Sequence, residues 1–67
     1  MITVDVAAEV ARVFDTEGWQ GLADRPGLVL QILEAIPDMP EREANLLREI
    51  YRHQELGHRV VVHIHPE

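Results

Sequence analysis

The chain contains no cysteine, no serine and no lysine. Without Cys there is no disulfide staple, no thiolate metal ligand and no thiol nucleophile, and composition carries no sign of the redox compartment. Without Ser the hydroxyl side chains reduce to Thr3, Thr16 and Tyr51, which removes Ser-type acyl transfer. Without Lys neither a P-loop nor a Schiff base can be built, and no Gly-rich phosphate loop is present. Long apolar runs are missing as well. The longest stretch without a charge, Pro26 to Leu33, is far short of the ~20 apolar residues that span a bilayer. The first twenty residues carry Asp5, Glu9, Arg12, Asp15 and Glu17, which suits neither a secretory signal nor a membrane span. A soluble, cytoplasmic protein with no membrane partner is expected.

What is present is acidic. The net charge is −6, and all six basic residues are Arg, spread from Arg12 to Arg59 without clustering. That pattern lacks the positive footprint of a nucleic-acid binder, so no direct nucleic-acid contact is expected. The acids are scattered too, and an acidic inhibitor of a nucleic-acid-binding protein stands only as a further alternative. With 67 residues the chain reads as a single small domain over 1–67, of a size that buries only ~60% of the surface its unfolded form exposes. Chains this small add disulfides, a metal or a partner; here metal and self-association remain.

Periodicity indicates an α+β fold, mostly α, with about three short helices and a C-terminal strand. Ile2-Thr3-Val4 reads as a short strand or extended arm, although Val6, Val10, Val13 and Phe14 recur at helical spacing and predict a helix over 6–15 with Asp5 as its cap. Thr16 to Gly21, with two glycines, reads as a loop. A second helix starts near Asp24-Arg25-Pro26 and stops before Pro37. A third starts at Asp38-Met39-Pro40-Glu41, with Asp38 as cap, and stops at Gly57; its inward stripe is Leu46, Leu47, Ile50 and Tyr51. After Gly57 the period changes to two. Val60, Val62 and Ile64 alternate with Val61, His63 and His65, a strand ended by Pro66.

The segment Ile36-Pro37-Asp38-Met39-Pro40-Glu41-Arg42-Glu43-Ala44-Asn45-Leu46-Leu47-Arg48-Glu49-Ile50 resembles the first helix of the helix-turn-helix in sigma-factor region 4. The likeness covers about a fifth of the chain and implies a recognition helix next, with basic or amide side chains for the major groove. Val60-Val61-Val62-His63-Ile64 stands there instead. The resemblance is attributed to shared capping chemistry, and the function is not carried over.

Two features point to partners. The C-terminal strand needs a neighbour for its backbone, either the N-terminal segment or a second subunit. In Leu28 to Ile36 seven of nine residues are apolar, which suits a helix central in the core or docked on another chain. Candidate interface residues are therefore Leu28, Leu30, Leu33, Trp19, Val60, Val61 and Val62. For Trp19 the preferred reading is that it closes one end of the core, against Phe14 and Leu22.

The four histidines, His53, His58, His63 and His65, all fall in the last fifteen residues. His63 and His65 share one side of a strand, about 7 Å apart, and can hold zinc or nickel if His58, His53, Glu49 or Glu67 completes the set. The alternative is that they are the wet face of a half-buried strand, and this is the reading preferred on sequence. His53-Gln54-Glu55-Leu56-Gly57-His58 is not a zincin motif: the Glu is displaced and the histidines are five apart, which turns the imidazoles away from each other on a helix. Taken together, the residues predict a small acidic non-catalytic interaction or regulatory protein without a cofactor, partnered by itself or a larger complex. A divalent metal-binding module is the alternative.

Overall fold

The computed structural model describes residues 1–66, apart from the side chain of Thr16. Its elements run β1 (Ile2–Ala7), α1 (Ala8–Ala11), α2 (Thr16–Asp24), α3 (Pro26–Ala35), α4 (Glu41–Glu55) and β2 (Val60–His65). The two strands pair in parallel, with Ile2 opposite Val60 and Ala7 opposite His65. Parallel strands need a long crossover, and the four helices are that crossover. The fold is thus a mostly α, α+β arrangement in which the N-terminal segment is the neighbour that the C-terminal strand requires.

Alternation decides which face of the sheet is covered. Val4, Val6 and Val60 are buried, whereas Thr3, Asp5, Ala7, His63 and His65 are exposed. The helices therefore lie against one face only. Under them the core gathers Val10, Trp19, Leu22, Val29, Leu47 and Ile50, with Phe14 meeting Trp19 edge to face at 5.4 Å between ring centroids. The expected contact of Trp19 with this end of the core is present.

The first half of the chain departs from expectation. The strand runs on to Ala7, and only one helical turn follows it where a helix over 6–15 was predicted. Ladder pairing of Val6 with Ile64 outweighs the helical spacing of the valines, and Val13 is left 62% exposed. Asp5 lies inside the strand and caps nothing. The predicted loop at Thr16 to Gly21 is instead the body of α2, started by Asp15, whose Oδ1 accepts from the Gly18 N–H at 2.6 Å. Gly18 belongs to that turn: a Cβ there would come within 3.2 Å of both Asp15 Oδ1 and Phe14 Cβ. Neither Asp24 nor Asp38 acts as a cap. Arg25 and Pro40 occupy the N-cap positions of α3 and α4 with no side-chain bond, and two acids in the first turn of α4, Glu41 and Glu43, meet the positive end of its dipole.

The end of α4 follows the Schellman pattern. Gly57, at φ +82°, takes the left-handed position; the His58 N–H donates to the His53 carbonyl and the Gly57 N–H to the Gln54 carbonyl, both at 3.0 Å. Two glutamines then lock α2 in place. Gln54 Nε2 donates to the carbonyls of Leu22 at 3.0 Å and Ala23 at 2.5 Å, tying α4 to the end of α2. Gln20 ties α2 to β2.

Candidate functional site

The two outer edges of the sheet differ. The Ile2 N–H donates to the Arg59 carbonyl at 2.7 Å, so the even residues of β1 and the odd residues of β2 carry the ladder. The even residues of β2 therefore face outward. Gln20 fills that side: its Oε1 accepts from the Val62 N–H at 3.0 Å and its Nε2 donates to the Val60 carbonyl at 3.2 Å. On β1 the outward groups belong to Thr3, Asp5 and Ala7, and among the described residues the sheet has no third strand to meet them. Beside this edge lies an open depression of about 410 Å³, walled by Asp5 and Ala7 on one side and by Arg42, Asn45 and Glu49 of α4 on the other, with Val10 and Leu46 as apolar lining. Arg42 also forms an ion pair with Glu9.

The histidines separate into two pairs. His53 and His58 stack with ring centroids 5.6 Å apart and their Nδ1 atoms 3.4 Å apart, a contact that follows from the backbone bond closing α4. Glu49 approaches His53 from the opposite ring nitrogen, Nε2, at 4.0 Å. His53 therefore faces its two neighbours with different nitrogens, and no single ion is shared by all three.

His63 and His65 lie on the open face of the sheet, with ring centroids 5.0 Å apart and planes at 88°. Asp5 stands opposite His63 in the register, and its Oδ1 is 3.3 Å from His65 Nε2. One ligand atom from each of Asp5, His63 and His65 lies within 4.8 Å of the others. Of the further ligands considered from sequence, Glu49, His53 and His58 are not in this group, and Glu67 lies outside the described residues. Asp5 was missed. Its signal is the two-residue alternation of Ile2 to Val6, which sets position 5 on the same side as position 3; only the parallel register brings that side against His63.

The candidate interface residues are distributed between core and surface. Trp19 and Val60 are fully enclosed by the chain itself, so neither offers a surface. Leu28, Leu33, Val61 and Val62 are half-buried, and Leu30 is 41% exposed. The α3 helix buries Val29 and turns Leu30 and Ile36 outward. A small apolar hollow of about 150 Å³ between Val13, Phe14, Ile36 and Met39 adds to this exposed surface.

The Tyr51 phenol is held above its ordinary value. A hydrogen bond with the Glu55 side chain raises its phenol above 10.0, and desolvation and the Glu55 charge act in the same direction. No helix among the described residues is long and apolar enough to cross a membrane. Comparison with known proteins finds no family model, no curated protein and no solved structure that this chain matches.

Proposed function

We propose that this chain is a small non-catalytic interaction protein that self-associates by pairing the outer edge of β1 with the same edge of a second copy, antiparallel about a two-fold axis. The observation that carries this reading is the contrast between the edges: β2 is bridged by Gln20 at Val60 and Val62, while β1 presents its outward backbone groups beside a depression lined by Val10 and Leu46. A lone two-stranded sheet is marginal in water, and parallel sheets are ordinarily larger and enclosed. Joining two copies makes four strands, ordered β2, β1, β1, β2, and covers the open edge of both β1 strands. An isologous contact of this kind is the commonest route to a soluble dimer.

The register follows from charge. Pairing Thr3 with the partner's Asp5, and Asp5 with the partner's Thr3, puts outward backbone groups opposite one another and sets a hydroxyl beside each carboxylate. Shifting the axis to Asp5 would oppose two like charges directly, which is destabilising. The acids occupy every helix as well as β1, a spread that favours this reading over that of an acidic inhibitor of a nucleic-acid-binding protein.

Thr3→Pro tests the reading, because proline removes an outward N–H and leaves the bonds between β1 and β2 in place. Sedimentation equilibrium should show a wild-type dimer and a Thr3→Pro monomer with the same far-UV circular dichroism. Hydrogen exchange should show the amides of Thr3 and Asp5 gaining protection as concentration rises. A wild-type chain that stays monomeric at every concentration, or a dimer indifferent to Thr3→Pro with unprotected amides, would overturn the proposal. Pairing only with a strand from another protein would overturn self-association as well.

A further inference from the structure

We infer that Asp5, His63 and His65 form a binding site for one divalent transition-metal ion on the open face of the sheet. Two imidazoles and one carboxylate converge from both strands, with a ligand atom of each within 4.8 Å of the others. Two donors sharing a tetrahedral ion at bond lengths of ~2.0–2.1 Å stand ~3.3 Å apart. His65 Nε2 and Asp5 Oδ1 are already 3.3 Å apart. His63, directly across the ladder from Asp5, needs only rotation of an exposed side chain to bring its nitrogen to the same point.

The donor set decides the class of ion. Two neutral nitrogens disfavour magnesium and calcium, which prefer all-oxygen shells, and suit zinc, nickel, cobalt or copper. Three protein ligands on an exposed face leave the remaining positions to water. The bound ion would join β1 to β2, elements separated by nearly the whole chain. Any ion bound only to the folded form raises its stability, which answers the shortage of core in a domain this small. Asp5 faces both the ion and, in the dimer, the partner's Thr3, whereas His63 and His65 serve the ion alone and Thr3→Pro alters the dimer edge alone, so those variants separate the two readings.

The test is titration calorimetry of the untagged, chelator-treated chain with zinc chloride and with nickel chloride, followed by thermal melts. One ion per chain is expected, with a higher melting temperature at saturation. Asp5→Asn, His63→Ala and His65→Ala should each weaken uptake by at least roughly tenfold, the lower end of what losing even an outer-shell partner costs a metal site. The double change His53→Ala with His58→Ala should leave uptake unchanged. Absent uptake, uptake that survives His63→Ala or His65→Ala, or full affinity in Asp5→Asn would overturn the three-ligand site. One ion per two chains would overturn it too, since the ligands would then come from different copies.

Discussion

The side chain of Gln20 lies against the main chain of Val62 as a third strand would: its carbonyl oxygen accepts from the Val62 N–H at 3.0 Å, while its amide nitrogen reaches the Val60 carbonyl at 3.2 Å. A helix thereby supplies the two hydrogen bonds that an adjacent β residue would make. Between Val60 and Val62 no further strand is needed on that side.

Gln20→Ala should therefore lower stability by about 1–3 kcal/mol, from its two hydrogen bonds to β2 at ~0.5–1.5 kcal/mol each, the third, to Asp24, being exposed and local. Urea unfolding reads the loss. The same variant uncovers a second sheet edge, and sedimentation should show association beyond the dimer. A Gln20→Ala chain with wild-type stability and size would show that water replaces the amide without penalty.

Gly57→Ala should cost about 1–2 kcal/mol, the penalty for placing a side chain in the left-handed region. Nothing crowds the position, so the effect is conformational alone. A smaller change in the urea midpoint would mean that α4 ends in another way once Gly57 is replaced.

Tyr51 makes alkaline stability a single-residue measurement, because the chain has no Lys or Cys and only one Tyr. Its phenol is raised above 10.0 in the folded state, so between the unfolded and folded values the folded form holds a proton that the unfolded form has lost. That contribution is complete below the unfolded pKa, and it disappears as pH rises through the folded one. The melting temperature should thus fall above pH 10, alongside a late tyrosinate absorbance change. Tyr51→Phe should flatten the fall.

Trp19→Ala should leave the chain largely unfolded. Removing a buried Trp costs ~3–5 kcal/mol, while a domain of this length is held by roughly 3–10 kcal/mol in total. Trp19→Phe should be milder than the lost volume implies. Trp19 Nε1 is buried without a hydrogen-bond partner among the described residues, and Phe removes that unsatisfied donor. Near-UV circular dichroism with urea unfolding ranks the three chains.

The sequence is most legible where local chemistry and tertiary packing agree. Pro26 and Pro37 bracket α3, Gly57 ends α4, and the alternation of Val60 to His65 marks β2, because each of these depends on neighbours in the chain. The first third is harder to read. Val6 and Val10 satisfy both a strand and a helix, and the choice is made by Ile64, on the far side of the molecule. Asp15 as the cap of α2 was obscured by Gly18 and Gly21, which read as a loop until the close approach of Phe14 gives Gly18 its reason. The candidate site divides in the same way. His63 and His65 are visible as an alternating pair, but Asp5 joins them only through a parallel register that no local signal specifies, and Gln20 reaches β2 from a helix whose surface pattern does not mark it.

The parallel pairing of Ile2 with Val60 has a kinetic consequence. Each rung of this ladder closes a loop containing all four helices, so the entropy of closure has to be met before any rung rewards it. The helices can pack from near neighbours, leaving both strands as late arrivals. In that interval β2 is an apolar ribbon able to meet β1 of its own chain or of another. At high concentration during refolding, the second encounter competes with the first and yields exchanged dimers in which each copy completes the other's sheet.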